Sequence, residues 1–146
     1  MPKPSPAEGF AVMLQDTARV MRVKLDQRLR PLGLSQAKWR TIVNVAQAGE
    51  GITQKELADR LGVEGPTLVR TLDRLQADGW LERRGCPDDR RSKRVFLLER
   101  SHETLRHIAS VAEQLRTEAL EGVSEDDIRR CREVLERVKS RVESLP

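Results

Sequence analysis

Apolar residues recur along this chain at helical spacing, and the pattern predicts a series of amphipathic helices. In residues 8–31 they advance by three or four positions, as one face of an α-helix requires. These positions are Phe10, Leu14, Ala18, Met21, Leu25 and Leu29. Pro31 and Gly33 end this segment, and a second helix is predicted from the N-cap Ser35 to near Gly49.

Residues 52–80 fit a helix-turn-helix. Thr53 and Glu56 have the spacing of a capping box, which predicts the start of a short helix. Small Ala58 allows two helices to cross, Gly62 suits the turn, and Leu68 anchors the second helix. Leu61 and Val63, on either side of the glycine, are expected to pack against the helix pair.

The second helix of this pair has a buried face and a polar face. Pro66 fits its first turn, where a missing N–H costs nothing. The buried face is expected to contain Leu68, Leu72 and Leu75. The outward face contains Pro66, Thr67, Arg70, Thr71 and Arg74.

A β-hairpin with a basic tip is predicted directly after the helix-turn-helix. Residues 80–84 and 94–98 are the expected strands, and the loop of 85–93 contains Gly, Pro and Asp turn residues. Within 83–94, six Lys/Arg residues face two acids, Asp88 and Asp89, whose expected role is to shape the loop. A helix-turn-helix with such a hairpin is a winged helix. The tip is expected to enter the negative minor groove of DNA.

Two more striped helices follow, which makes the predicted fold mainly α, an α+β winged helix-turn-helix flanked by long helices. Ser124 is the expected N-cap of the last one. The stripes are Leu105, Ile108, Ala112, Leu115 and Ala119, and then Ile128, Cys131, Leu135, Val138, Val142 and Leu145. The small winged helix cannot cover all these stripes. We therefore expect a homodimer, whose symmetry would match a palindromic DNA site.

Composition narrows the function further. The chain has 3% aromatic and 34% charged residues, which suits a helical protein or a nucleic-acid binder better than a β-sandwich. There is no apolar run long enough to span a bilayer and no signal peptide, so the expected location is the cytoplasm, at the nucleoid, without membrane contact. The polar, Pro-rich residues 1–9 are expected to lack structure.

Other classes of function have weaker signals. No nucleophile, base, metal or cofactor motif is visible, so the chain is not expected to be an enzyme or to hold a cofactor. A metal sensor using His102, His107 and Cys131 and a redox switch at Cys86 on the exposed wing remain alternatives, although Cys131 suits a core position better. A winged-helix adaptor that binds only proteins is the principal alternative.

The order of these elements resembles the MarR family of bacterial transcriptional regulators. The segments GPTLVRTLDRLQADGWLERRGCPDDRRSKRVFLL and RLRPLGLSQAKW resemble its SlyA branch in particular. The resemblance implies one MarR-type domain over 1–146, with dimerisation helices in 8–33 and 101–146 and a DNA-binding winged helix in 34–100. The chain differs from the family at Leu98-Glu99-Arg100, where the family often has a Thr that caps the next helix. Ser101 is expected to take that role.

The resemblance also implies site residues. A homodimer would bind a pseudo-palindromic operator, with Pro66, Thr67 and Arg70 facing bases, Arg90 in the minor groove and Arg91 facing phosphate. Arg74 and Lys93 complete the expected DNA contacts. A small aromatic acid would bind near Arg19, Arg22, Trp39, Val43 and Arg70, although relatives have a polar ring at the position of Val43.

Overall fold

The computed structural model describes residues 5–146, which form six α-helices and three short strands. A 3-10 turn, Arg30–Leu32, follows the first helix. The helices are α1 Pro6–Leu29, α2 Gln36–Ala48, α3 Gln54–Leu61, α4 Gly65–Ala77, α5 Glu99–Ala119 and α6 Glu125–Glu143. The strands are β1 Ile52–Thr53, β2 Leu81–Gly85 and β3 Lys93–Leu97. The order is the predicted one, apart from β1.

The described chain divides into two compact units, one ending at Ala112 and the other spanning Glu113–Pro146. In the first, α2, α3 and α4 pack with an antiparallel sheet whose strand order is β1-β3-β2. Its core includes Ile42, Leu57, Leu72, Leu75 and Leu81, all fully buried. The predicted buried face of α4 is confirmed, since Leu68 is buried there as well.

The first helix begins earlier than the sequence pattern indicated. Residues 1–4 of the segment expected to lack structure lie outside the described residues, but residues 6–9 are helical, so that part of the prediction was wrong. Ser5 accepts a hydrogen bond from the Glu8 N–H at 3.1 Å, and Pro6 lies at the start of the helix. A polar cap and a Pro in the first turn start a helix, although the same residues are common in loops.

Local signals correctly predicted the helix-turn-helix. The Thr53 hydroxyl accepts from the Glu56 N–H at 3.2 Å, and the Glu56 carboxylate accepts from the Thr53 N–H at 2.9 Å, which completes the capping box. These bonds from Thr53, chiefly from its backbone N–H, lower the pKa of Glu56. Gly62 ends α3 with a φ of 65°, a conformation that glycine adopts without strain.

The hairpin is present, with a third strand beside it. Both hairpin strands are shifted by about one residue from the prediction, and Arg83 pairs with Val95 across them. The short β1 pairs with β3 on its other edge, with Ile52 opposite Val95. The sheet therefore ties the base of the hairpin to the start of α3.

The start of α5 differs from the sequence-based expectation. The helix begins at Glu99, and Ser101 is buried inside it rather than capping it, so the predicted N-cap was wrong. The Ser101 hydroxyl donates a hydrogen bond to the Trp80 carbonyl, which also accepts from the Leu98 N–H. Ser101 therefore bonds to a residue distant in sequence instead of capping its own helix.

Apolar side chains remain exposed on helices of both units. On α1 they include Phe10, Leu14 and Met21, and on α6 they include Leu135 and Val138. Cys131 on α6 is exposed, so its assignment to a core was wrong for the single chain. Across residues 5–146, no helix combines the length and the hydrophobicity needed to cross a membrane.

Candidate nucleic-acid interface

The second helix of the helix-turn-helix, α4, presents a polar face with free cations. Pro66, Thr67, Arg70 and Arg74 are exposed, and Thr71 is half-buried. Within the described residues, the guanidinium groups of Arg70 and Arg74 form no hydrogen bond or ion pair. The core holds the opposite side of the helix through its leucines, so this face is available for a ligand.

The loop of the hairpin, residues 86–92, is held in shape by its own backbone. The Cys86 N–H donates to the Ser92 carbonyl at 3.2 Å, and the Ser92 N–H donates to the Asp89 carbonyl at 3.1 Å. The Asp89 carboxylate accepts from the Arg91 N–H at 2.9 Å. The predicted internal role of the loop acids is thus confirmed for Asp89, which shapes a turn beside basic side chains.

The six cations of 83–94 separate into two groups. Arg84 pairs with Glu82 and lies over the Phe96 ring, 4.1 Å from its centroid, and Arg94 donates to the Gly51 carbonyl at 2.8 Å. Arg83 binds side chains of two helices. Arg90, Arg91 and Lys93 are exposed, and in the described part of the chain their side chains have no such partner. The second group is therefore the one whose side chains make no such contact within the described part of the chain.

An open groove of about 620 Å³ separates the start of α4 from the hairpin loop. Apolar Ala58 and Leu68 line it together with Lys55, Arg91 and Lys93. Val63 also lines this groove and is exposed, so the prediction that it is buried against the helix pair was wrong, whereas Leu61 is buried as predicted. The start of α4 and the basic side chains of Arg91 and Lys93 therefore lie on opposite sides of an open gap.

The residues expected around an aromatic acid lie in different environments. Arg19 is exposed and pairs with Asp16 at 2.5 Å, whereas Arg22 is exposed and has no partner among the described residues. Trp39 is only 5% exposed, and its indole N–H donates to Asp26 at 3.2 Å. Val43 is half-buried against the core.

Side-chain contacts that join α4 to the sheet were missed from sequence. Arg83 was counted with the basic tip, but it binds Asp73 and Gln76 of α4. The sequence signal was present, because Asp73 lies on the helix that directly precedes β2, but nothing local specified the pairing. The Arg94 contact with Gly51 likewise depends on the unpredicted strand β1.

The structure also shows the surroundings of the residues considered for a redox switch and for a metal site. Cys86 is half-buried at the start of the hairpin loop. Between Ser5 and Pro146, no three His, Cys, Asp or Glu side chains lie together in a way that could hold a metal ion.

Comparison with known proteins agrees with this architecture. The profile of the MarR family matches residues 32–92. The transcriptional regulator PA3341 is 38% identical, with 93% of this chain and 99% of that chain covered and a TM-score of 0.84. Wild-type MarR from E. coli in its apo form is 25% identical, with 94% and 98% covered and a TM-score of 0.79.

A further solved structure shares the fold. A putative MarR family transcriptional regulator from Listeria monocytogenes, complexed with a 26mer DNA, is 21% identical, with 90% of this chain and 87% of that chain covered and a TM-score of 0.79. The match to PA3341 exceeds 30% identity over nearly the whole of both chains, and the MarR family profile matches residues 32–92 within that span. This chain therefore belongs to the MarR family.

Proposed function

We propose that the chain is a sequence-specific regulator of transcription that binds double-stranded DNA as a homodimer. The observation that carries this proposal is the placement of the free cations, with Arg70 and Arg74 on α4 and Arg90, Arg91 and Lys93 on the hairpin. Phosphate oxygens attract such groups, and arginine can also read base edges. The DNA-bound structure of the Listeria relative supports the same function.

In this proposal α4 lies in the major groove and the hairpin is a wing. Pro66, Thr67 and Arg70 contact bases, Arg90 enters the minor groove, and Arg91 and Lys93 contact phosphate. The exposure of all six side chains supports these roles. We assign 34–100 to DNA binding and 8–33 with 101–146 to dimerisation, within one MarR-type domain and in its SlyA-like branch. A protein of this kind acts in the cytoplasm at the nucleoid.

Dimerisation is supported by the apolar surface of the single chain. Phe10, Leu14 and Met21 form an exposed row on α1, and Leu135 and Val138 lie within a regular stripe on α6. Clustered apolar surface on long helices is typical of protein–protein contact. A second copy would cover it and would place two recognition helices on a pseudo-palindromic operator.

Selection from random duplex DNA with the full-length chain tests the proposed function. We expect enriched sequences to contain one short motif twice, in inverted orientation, with centres about 10 base pairs or a multiple of this apart, because each recognition helix reads one half-site. The half-site motif can be read from sequencing of the selected pool. A folded protein that enriches no sequence would contradict DNA reading and would favour the protein-binding adaptor.

We further propose that small aromatic carboxylates modulate DNA binding, as the family resemblance implies. Arg22 and Arg70 support an anion site, since both are exposed and have no internal partner in the described residues. Salicylate is expected to weaken DNA binding, because a ligand that favours another arrangement disfavours the DNA-bound one. Arg22→Ala should raise the salicylate concentration needed by about tenfold, the value of one charge-assisted hydrogen bond.

Fluorescence anisotropy of a labelled operator during salicylate titration measures this response. Lys24→Ala, which removes a neighbouring cation from the same helix, is the matched control and should respond like the wild type. Trp39 is less suited to this test, because it is buried and its truncation to Ala would cost about 3–5 kcal/mol of stability. An identical response in Arg22→Ala and the wild type would contradict the site.

A further inference from the structure

Arg83 joins the wing to the helix-turn-helix through three donors. Its Nε donates to the Gln76 Oε1 at 2.9 Å, and its Nη2 donates to the Asp73 Oδ1 at 2.5 Å. Its Nη1 donates to the Gln54 Oε1 of α3 at 3.5 Å. The side chain is only 19% exposed. A strand residue thus directs its whole guanidinium group at two helices rather than at solvent.

The position of these contacts on α4 is close to the proposed DNA-reading face. Asp73 follows Arg70 by three residues, so the two are neighbours on the helix surface. The leucines of α4 pack the opposite side of the helix into the core. Asp73 and Gln76 lie on the exposed side, and both accept hydrogen bonds from Arg83.

The other end of this contact lies at the base of the wing. Arg83 pairs in register with Val95 of β3, and the loop begins three residues later at Cys86. The groove of about 620 Å³ keeps the start of α4 apart from the loop itself. The rigid, planar fork of arginine can set a distance and an angle between two elements, which a lysine ammonium cannot do as well.

We propose that Arg83, paired with Asp73 and Gln76, is a positioning residue that fixes the spacing between the recognition helix and the wing. This inference rests on the proposed DNA-binding function. The two DNA-contacting elements must reach adjacent grooves at the same time, so a fixed spacing lowers the conformational cost of binding. We assign Arg83 no phosphate contact, because its guanidinium group is turned toward α3 and α4 and its side chain is only 19% exposed.

The variant Asp73→Ala distinguishes a positioning role from a purely electrostatic effect, because the two predict opposite changes in DNA affinity. Loss of a carboxylate near phosphate should tighten DNA binding if charge alone matters. Alanine is also the better helix former, so α4 itself is not weakened by the change. A positioning role predicts the opposite result, because the wing would lose its fixed place beside α4.

The experiment measures the affinity of the full-length protein for a duplex of about 30 base pairs, selected by the wild type from a random pool, over a range of salt concentrations. Asp73→Ala is expected to bind about three- to tenfold more weakly, because one partly exposed charge-assisted hydrogen bond can hold the wing in its binding position by about that factor. The salt slope should fall by about two for each wing that disengages, because each wing is proposed to make two phosphate contacts, through Arg91 and Lys93. The effects of Asp73→Ala and Arg83→Ala should not add in the double variant, and Arg83→Lys should restore part of the affinity.

Asp59→Ala is the matched control, because it also removes an exposed acid from a helix of the same unit, and that acid's carboxylate has no hydrogen bond or ion pair in the described residues. It should bind DNA as tightly as the wild type or more tightly. Gln76→Ala removes one Arg83 contact without changing charge, and it should weaken binding even if Asp73→Ala fails to fold. Unchanged or tighter binding by folded Asp73→Ala and by Gln76→Ala, with the wild-type salt slope, would overturn the positioning role. Absence of any wild-type binding to DNA would overturn the proposed function instead.

Discussion

A Leu135→Asp, Val138→Asp double variant is expected to be monomeric at concentrations where the wild type is a dimer. Both side chains are on the apolar stripe of α6, and they are 38% and 36% exposed in the single chain. In a dimer they would be covered, and burial of unpaired carboxylates costs on the order of several kcal/mol for each group. In a separate chain the same carboxylates remain in water, so the helices should persist.

The matched control places two aspartates at the same spacing on the opposite face of α6. Arg137→Asp with Ser140→Asp changes exposed positions and should leave the dimer intact. Light scattering measures the mass of each protein, and circular dichroism measures its helix content. If the Leu135/Val138 variant scatters as a folded dimer, the stripe is not the interface. A monomeric wild type would contradict the homodimer itself.

The elements that the sequence predicted best are those with local causes. The start of α3 depends on two side chains three residues apart, and its end depends on Gly62, whose positive φ needs no distant partner. Pro66 and the leucine spacing then define α4. Each of these signals lies within one or two turns of the structure that it specifies, so the sequence alone is enough.

Features that depend on contacts between residues far apart in sequence were missed or misplaced. Strand β1 has two residues, and its pairing with β3 crosses more than forty positions of sequence. The buried role of Ser101 depends on the Trp80 carbonyl, which no pattern around Ser101 reveals. A capping residue and a buried hydroxyl look the same in sequence, and only the tertiary partner distinguishes them.

The charge of the wing shows the same limitation at the candidate site. Counting cations in 83–94 makes the whole hairpin appear to be a DNA contact surface. Arg83, Arg84 and Arg94 instead bind Asp73, Glu82 and the Gly51 carbonyl within the protein. Two of these acceptors lie on other elements, so local charge overestimates the free basic surface. Arg90 and Arg91 lie in the loop and Lys93 lies at the start of β3, so these three cations are the residues to substitute in a test of the wing.

Arg70→Ala and Arg90→Ala are expected to weaken DNA binding in different ways. Arg70 on α4 is proposed to read base edges, so its loss should cost about 1–3 kcal/mol on the cognate operator and little on random DNA. Arg90 at the wing is proposed to sense the narrow minor groove of A·T-rich flanks. Its loss should therefore weaken the cognate operator most where those flanks are A·T-rich.

Lys93→Ala should behave as the loss of a phosphate contact. Binding to all sequences should weaken alike, and the slope of log affinity against log salt should fall by about one for each wing engaged. Arg106→Ala provides the matched control, because Arg106 is exposed on α5 and has no partner among the described residues. Its loss changes net charge equally but removes no proposed contact, so the salt slope should stay that of the wild type.

A salt titration of each variant on three duplexes distinguishes these roles. The duplexes are the cognate operator, the operator with G·C flanks, and a random sequence. Equal loss by Arg90→Ala on all three would make the wing arginine a nonspecific electrostatic contact, because minor-groove width would then have no influence. No loss on any duplex would leave the loop as solvated surface. A loss that is largest on the A·T-flanked operator requires the Arg90 side chain to lie in a groove whose width depends on sequence, and the free guanidinium at the tip of a backbone-braced loop is suited to that role.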